Sequence, residues 1–161
     1  MRLTLYSDYA IRVLLYLGAR PERLCPIGEI AGAYGISRNH LMKVANDLAR
    51  EGFVASARGR FGGLRLGRPA DEINVGAVIR HTEDGFDLAD CARCVIAPAC
   101  GLTGALDEAL AAFMAVLDGY TLADLLDRRP AMAAILSAQA GASSADSVSA
   151  IQPPPSTRAP S

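Results

Sequence analysis

The chain has 161 residues, of which 51% are hydrophobic and 20% are charged, and its formal net charge is −1. This length fits one domain with a tail, and no stretch approaches the roughly 18 consecutive apolar residues of a membrane-spanning helix. The N-terminus lacks the basic and then apolar leader of a secreted protein. We therefore expect a cytoplasmic protein without a membrane partner.

The charges are divided unevenly along the chain. Residues 1–70 contain eleven Arg and Lys against five Asp and Glu, whereas residues 71–161 contain five against twelve. A basic N-terminal half is typical of a lobe that binds a polyanion. Chance segregation of surface charge would give the same totals, so charge alone does not decide the point.

Two helices are predicted in the first 35 residues. The first covers residues 8–17, with Ser7 as its N-cap and Gly18 as its stop. The second opens at Pro26, carries one apolar stripe at helical spacing, and is broken by Gly35. A single apolar residue, Ile36, then leads into the third helix.

A third helix is predicted after Ser37, which is placed to cap it, and Gly52 ends it. Its apolar residues form one stripe, and the polar side chains outside the stripe are Arg38, Asn39, His40, Lys43, Asn46 and Arg50. Two short strands are predicted at 53–57 and 64–66, around a turn rich in Gly and Arg. This order predicts a mainly α protein with a small β-hairpin wing, a winged helix-turn-helix.

The third helix and the hairpin carry the predicted DNA-binding residues. In a helix-turn-helix, the first turn of the second helix faces base edges in the major groove. Glycines at a hairpin tip let the backbone approach phosphate or the minor groove closely. The predicted contacts are Ser37, Arg38, Asn39, His40 and Lys43 on the helix and Arg58, Arg60 and Gly62 on the wing. A solvated helix face beside a basic loop is the alternative explanation.

The second half of the chain contains a cysteine loop and a long helix. A short helix is predicted at 75–82 and a loop at 84–100. Over residues 102–120 apolar residues recur at helical spacing on more than one face, so this helix needs more than one packing partner. We expect a second subunit there, so that a charge placed at Phe113 would give monomers. A shorter helix is expected at about 121–138.

These patterns divide the chain into four parts. A winged helix-turn-helix domain covers 1–80, the cysteine loop 81–101, the dimerisation helices 102–138, and a tail 139–161. The tail is rich in Ser and Pro and poor in apolar side chains, so it cannot bury enough surface to offset the entropy of ordering. We expect it to be disordered.

Three of the four cysteines lie close together with the spacing C-x2-C-x5-C, and they are Cys91, Cys94 and Cys100. In a reducing compartment, three thiols within ten residues are typical of metal ligands rather than disulfides. The spacing is compatible with zinc or with an iron–sulfur cluster. Zinc could take a histidine as its fourth ligand, but the chain has only His40 and His81, and His40 lies on the predicted third helix. Cys25 lies outside the motif and is expected to be a small buried residue.

Four stretches of the sequence resemble the NsrR-type nitric-oxide-sensing repressors, a family of iron–sulfur regulators that includes IscR and RirA. The stretches are YGISRNHLMKVANDLAREGFV at 34–54, RGRFGGLRLGRPA at 58–70, IAPAC at 96–100 and GYTLADLL at 119–126. The resemblance covers about residues 1–137. It implies a homodimeric transcriptional repressor that binds double-stranded DNA at a palindromic operator and that responds to nitric oxide.

The resemblance also implies an iron–sulfur cluster, 4Fe–4S with 2Fe–2S as the alternative. Its ligands would be Cys91, Cys94, Cys100 and, from the opposite subunit, Asp8. By itself, Asp8 is also explained as a first-turn acid favoured by the helix dipole. IscR-like relatives have a histidine where this chain has Thr103, and RirA-like iron sensors lack the acid at the position of Asp8, so both comparisons favour the nitric oxide branch. The gap between the first two cysteines is shorter than is usual in the family.

Other functions stay open at this point. The stretch RRPAMAAIL at 128–136 has a likeness to the iron sensors, which keeps an iron-responsive regulator of the RirA type as the main alternative. An iron–sulfur electron carrier and a zinc-stabilised regulator are further alternatives. An enzyme is not expected, because the sequence has no nucleophile–base pair, phosphate loop or cofactor fingerprint.

Overall fold

The computed structural model describes residues 2–59, 62–127, 130–136 and 138. Its main elements are α1 (Leu5–Gly18), α2 (Ile27–Tyr34), α3 (Arg38–Arg50), β1 (Val54–Ala57), β2 (Gly63–Leu66), α4 (Val75–Thr82), α5 (Leu102–Asp118) and α6 (Leu122–Leu125). The strands pair antiparallel, with Val54 opposite Leu66. Short 3-10 turns lie at Ala70–Glu72, Cys91–Arg93 and Ala97–Ala99. The order confirms the predicted winged helix-turn-helix with a long C-terminal helix.

Helix α1 begins three residues earlier than predicted. Thr4 is its N-cap, and the Thr4 hydroxyl accepts a hydrogen bond from the Ser7 backbone N–H. Ser7 is fully buried inside the first turn, so its predicted role as the N-cap is wrong. Gly18 is the last helical residue rather than the stop, and a Cβ added there would lie 2.5 Å from Cδ1 of Leu126. The start of α1 is therefore set by its local cap, whereas its last residue is set by packing against Leu126.

The turn between α2 and α3 depends on a glycine. Gly35 has a φ of 63°, in the left-handed region where a side chain is strained, and it ends α2. Ser37 then occupies the N-cap position of α3, as predicted, but its side chain makes no capping hydrogen bond. The apolar face of α3 is buried through Leu41, Val44, Ala45 and Leu48.

Two apolar cores hold the described residues together. The main core lies between α1, α2, α3 and the hairpin, and Leu122 and Leu126 of the α6 region close it. A smaller core joins α4 to α5 around Ile79 and Met114. The C-terminal end of α5 is also tied to α4, because Arg80 forms a two-pronged ion pair with Asp118. The long helix α5 is thus fixed through α4 to the winged helix-turn-helix.

Helix α5 divides its apolar residues between two faces. Phe113 and Leu117 are half-buried and pack into the core shared with α4. The Phe113 ring therefore contributes to the chain's own core, and the predicted dimer contact at this position stays a prediction. A second face is exposed, and its apolar residues at intervals of three and four are Leu102, Ala105, Ala109, Ala112 and Val116. We call these five residues the exposed stripe of α5.

The helix predicted over 121–138 is interrupted. Helix α6 ends at Leu125, and the chain is helical again over 130–136. Pro130 has no N–H to donate to a preceding helical turn, so it starts a helix better than it continues one. The tail predicted at 139–161 lies outside the described residues. Among the helices that the structure describes, none is long and apolar enough to cross a membrane.

Candidate DNA interface and cysteine loop

The polar face of α3 is open to solvent. The structure starts α3 at Arg38, so Arg38, Asn39 and His40 form its first turn, and all three are exposed. Lys43, one turn further on, is exposed as well. A helix that presents its first turn in this way is suited to contact base edges in a major groove. The predicted helix residues therefore share one free surface.

The wing meets this surface at an open groove of about 560 Å³. Its lining includes Pro26 and Gly28 from the start of α2, Arg38 from α3, and Arg58, Gly59 and Gly62 from the wing. Arg38 and Arg58 are both exposed, and Pro26 is the N-cap of α2, so the N-terminal end of that helix borders the groove. Positive side chains and a helix N-terminus both favour phosphate oxygens. Arg60, also predicted here, lies outside the described residues.

Gly59 and Gly62 are required by the hairpin itself. Gly59 has a φ of 114°, and its carbonyl accepts a hydrogen bond of 3.0 Å from the Gly62 N–H. A Cβ on Gly62 would lie 2.4 Å from the carbonyl oxygen of Ala57, which is backbone and cannot move aside cheaply. The tight turn thus gives a steric reason for Gly62 that is independent of any DNA contact.

The cysteine loop connects α4 to α5 through tight turns. The backbone N–H groups of Cys94, Ala97 and Cys100 each donate to the carbonyl three residues earlier, so the three cysteines lie on successive turns. All three are free thiols, with Cys94 exposed and the other two half-buried. Among the described residues, no three Cys, His, Asp or Glu side chains form a group of metal-site size. The donors suit iron chemically, but the single chain does not gather them at one point.

An open cavity of about 620 Å³ lies beside this loop, and its lining includes Cys91, Asp90, Arg93 and Thr103. The hydroxyl oxygen of Thr103 is buried and has no hydrogen-bond partner among the described residues. A buried hydroxyl without a partner is costly in a finished structure. This orphaned atom fits a loop that is completed by a group or a subunit from outside the chain.

Asp8 lies at the surface in the first turn of α1, away from the buried stripe. Arg12, one turn later, binds both carboxylate oxygens, with Nε 3.0 Å from Oδ1 and Nη2 2.8 Å from Oδ2. Asp8 also borders a shallow groove with Leu3, Leu5 and Ile11, of which Leu5 is 57% exposed. In the single chain, Asp8 is thus a first-turn acid with a local ion pair, beside an apolar surface.

The sequence profile of the Rrf2 family, described as iron-dependent transcriptional regulators, matches residues 3–128. The match spans the helix-turn-helix, the wing, the cysteine loop and α5. The chain belongs to the Rrf2 family. Its place there confirms the regulator predicted from the sequence and sets aside the electron carrier.

Curated relatives within this family are regulators of the NsrR type, which confirms the resemblance found in the sequence. The HTH-type transcriptional regulator NsrR of Bacillus subtilis is 50% identical over 135 residues, which are 80% of this chain and 92% of that protein. NsrR of Geobacillus kaustophilus is 46% identical over 147 residues, 88% of this chain and 100% of that protein. The relatives are regulators and not enzymes, as expected for this chain.

Solved structures of other regulators share the fold. T. potens IscR superposes with a TM-score of 0.66 at 26% identity, over 80% of this chain and 88% of that one. CymR (YrzC), the global cysteine regulator of B. subtilis, superposes with a TM-score of 0.61 at 26% identity, over 78% of this chain and 95% of that one. The winged helix-turn-helix of this Rrf2 protein is therefore an established regulator fold.

Two residues outside the predicted set of this Rrf2 protein have clear structural roles. Cys25 is fully buried, as predicted, and burial raises the pKa of its thiol. Arg68 lies in the basic region of the wing, but its guanidinium stacks 4.8 Å from the Phe53 ring and donates to the Glu51 carbonyl at 2.6 Å. The Arg68 guanidinium is therefore engaged within the winged helix-turn-helix and does not line the groove.

A polar network between α1 and α4 was not visible in the sequence. The Glu83 carboxylate accepts hydrogen bonds from the Thr4 backbone N–H at 2.8 Å and from the buried Ser7 hydroxyl, and Thr82 donates to Ser7 at 2.8 Å. Burial acts to raise the pKa of Glu83, but these hydrogen bonds outweigh it and lower the pKa overall. Since the partners are more than 70 residues apart, no local pattern could indicate them. The network fastens the start of the cysteine loop to the N-terminus of α1.

Arg38→Ala is expected to weaken binding to specific DNA by about 1–3 kcal/mol, because a side chain in the first turn of the recognition helix contacts base edges. Affinity for random DNA of equal length is expected to change far less. Fluorescence anisotropy on both duplexes at one salt concentration measures the two effects. Arg68→Ala is the control outside the groove. Equal losses on both duplexes for Arg38→Ala would show that Arg38 contacts only phosphate.

Proposed function

We propose that this Rrf2 protein is a cytoplasmic homodimeric repressor that binds a palindromic operator and releases it when nitric oxide reacts with an iron–sulfur cluster on the cysteine loop. The observation that carries the proposal is the set of three free thiols on successive turns, placed between the DNA-binding head and the exposed stripe of α5. Similarity to relatives named NsrR supports the same function.

The proposed cluster ligands are Cys91, Cys94, Cys100 and the partner subunit's Asp8, with 4Fe–4S as the proposed cluster and 2Fe–2S as the alternative. When bound, the cluster supplies iron that can react with nitric oxide, and the iron held by a carboxylate is the more weakly ligated one. The surface position of Asp8 supports its use by a second subunit. Thr103, with its unpartnered hydroxyl, stands where a histidine ligand would be needed in an IscR-like site.

In this proposal, Arg12 holds the Asp8 side chain in place while no iron is bound. Both side chains of this pair are about 40% exposed. Exposed pairs of this kind contribute only about 0.2–1 kcal/mol. Breaking the ion pair with Arg12 so that Asp8 can bind iron therefore costs little. The carboxylate is therefore kept ordered without being locked in place.

The exposed stripe of α5 supports the homodimer. Leu102 is 55% exposed and Val116 is 62% exposed, and the alanines between them continue one face over a helix of 17 residues, about 25 Å long. Small apolar residues at intervals of three and four allow two helices to pack closely. Because α5 is fixed to α4, a dimer through this stripe would also set the spacing between two recognition helices, which a palindromic operator requires.

An iron-responsive regulator is the second candidate. The description of the Rrf2 family as iron-dependent supports it, since occupancy of the same cluster would then follow iron supply. Both candidates use the same cluster ligands and the same DNA interface. They differ in the signal that makes the protein release its operator, which is nitric oxide in the first and iron supply in the second.

The decisive experiment uses full-length protein purified without oxygen. Visible absorption and affinity for a duplex enriched by the protein from a random-sequence library are measured before and after nitric oxide is added. We expect a brown protein whose spectrum changes with nitric oxide and whose specific affinity falls at least tenfold, about 1.4 kcal/mol. Loss of affinity with an iron chelator, but not with nitric oxide, would support the iron-responsive regulator instead.

Asp8→Ala tests the cross-subunit ligand in the same assay. Three thiolates can retain a cluster, so the variant is expected to stay brown without oxygen, with an altered spectrum and an altered response to nitric oxide. Asp71→Ala, which removes an exposed acid elsewhere on the chain, is the control. If Asp8→Ala matches the wild type in both spectrum and response, Asp8 is only a helix-start acid and the fourth ligand lies elsewhere.

A further inference from the structure

Three side chains from three helices meet at the end of α3 that is remote from its first turn. The Oδ2 atom of Asp47 on α3 accepts a hydrogen bond from the Tyr6 hydroxyl of α1 at 2.9 Å. The same oxygen lies 3.0 Å from Nε2 of His81 on α4. We call Tyr6, Asp47 and His81 the Asp47 junction. It joins the recognition helix to both other helices through one carboxylate.

The junction is partly shielded from water. The side chains of His81 and Asp47 are 25% and 27% exposed, and the His81 ring lies 6.2 Å from the ring of buried Phe53. A carboxylate only accepts, so both Tyr6 and His81 donate to it. Glu51 approaches His81 only to 4.0 Å, which is too far for a hydrogen bond. Asp47 is thus the acid that connects the three helices.

The position of the junction relates it to the predicted cluster ligands. Tyr6 precedes Asp8 by two residues, and His81 lies in the last turn of α4, which leads into the cysteine loop. The network of Ser7, Thr82 and Glu83 already fastens these two segments to each other. The N-terminus of α1 and the C-terminus of α4 therefore form one unit, and Asp47 connects α3 to that unit.

We propose that Asp47 is a positioning residue for DNA recognition, which sets the orientation of α3 against the unit formed by α1 and α4. A shift of that unit, caused at Asp8 or in the cysteine loop, then changes the fit of the first turn of α3 to base edges. The regulatory half of this inference rests on the proposed function, whereas the positioning half rests only on α3 as the recognition helix. No contact between Asp47 and DNA is required.

The test compares the affinity of full-length variants for two duplexes of equal length. One is the duplex enriched by the wild type from a random-sequence library, and the other is an unrelated sequence. We expect Asp47→Ala to lose about tenfold or more on the enriched duplex, as hydrogen bonds to a charged group are removed, and to change little on the unrelated one. Tyr6→Phe keeps the ring and removes one donor, so it is expected to give a smaller loss in the same direction. Asp47→Asn keeps an oxygen acceptor and is expected to recover part of the affinity.

Glu51→Ala is the matched control, because it removes an acid from the same end of α3 that makes no hydrogen bond to His81. It is expected to behave like the wild type on both duplexes. Thermal unfolding is measured for every variant. Equal losses on both duplexes, or a lower Tm with an unchanged ratio of the two affinities, would overturn the positioning role and leave Asp47 a stabilising residue. If Asp47→Ala does not fold, the positioning role is tested with Tyr6→Phe, by the ratio of its affinities for the enriched and the unrelated duplex.

The regulatory half is tested with the brown protein before and after nitric oxide. Asp47→Ala and Tyr6→Phe are expected to keep the wild-type colour, because neither removes a proposed ligand, and to show a smaller change in specific affinity on nitric oxide treatment. A full wild-type change, or loss of colour, would overturn the coupling through Asp47. A wild type that does not respond to nitric oxide would instead contradict the proposed function, while the ratio of affinities would still test the positioning role.

Discussion

Replacing any one of Cys91, Cys94 and Cys100 by Ala is expected to give a colourless protein that no longer distinguishes specific from random DNA. Each thiol is free, and the three cysteines follow one another along successive turns of the loop. Loss of one thiolate leaves an iron without its ligand. The expected fall in the specific-to-random affinity ratio is the largest of any single substitution proposed for this protein. Visible absorption, iron and sulfide analysis and anisotropy measure it.

Cys25→Ala is the matched control for this series. Its thiol is fully buried, and its backbone pairs with Leu64 at 2.8 and 2.9 Å, so its side chain belongs to the core. We expect the variant to remain brown and to bind the operator, with a lower Tm because a small cavity is left. A colourless wild type containing zinc and no iron would support the zinc-stabilised regulator. Full colour in any of the three loop variants would remove that cysteine from the ligand set.

Val116→Asp is expected to convert the dimer into monomers and to abolish operator binding. Val116 is 62% exposed on the exposed stripe of α5, and a charge placed there would be buried without a partner in a helix pair. Each monomer keeps its recognition helix, so weak binding to random DNA should persist. Light scattering gives the mass, and anisotropy on a palindrome and on a single half-site gives the affinities.

Two other substitutions on α5 sharpen this test. Ala111→Asp is the control, because Ala111 is exposed about 140° around the helix from Val116 and should leave a dimer. Phe113→Asp is expected to lower the Tm instead, because that ring packs into the core between α4 and α5. An unchanged mass for Val116→Asp would exclude the exposed stripe as the dimer interface.

The link between α4 and α5 connects the exposed stripe of α5 to the winged helix-turn-helix. Asn74 caps α4 and donates to the Asp118 carbonyl at 2.7 Å, while the Arg80 guanidinium beside Asp118 holds the pKa of that carboxyl below its usual range. These contacts join α4 to the end of α5 without using the cysteine loop. In the proposed mechanism, the two helices stay in register when the loop changes, and the loop acts on the winged helix-turn-helix through the N-terminus of α1 and the end of α4.

Short-range features of the sequence were sufficient to predict the local architecture of this protein. A glycine with a left-handed φ at Gly35, an apolar stripe on the helix after Ser37 and a hairpin with Gly59 and Gly62 are short-range features, and they predict the winged helix-turn-helix. Boundaries differ by one residue at the strands, where pairing partners set the ends. The cysteine spacing and the family resemblance also need no tertiary information.

The face on which each side chain lies and the partner that it contacts depend on the tertiary fold. Helical periodicity shows that α5 is apolar on two faces, but it cannot show that Phe113 packs against α4 while Val116 stays exposed. Asp47 and Glu83 gave no sequence signal at all, since their partners are 34 to 79 residues away. Such contacts depend on how helices cross in space, and the local pattern of a chain carries no information on that crossing.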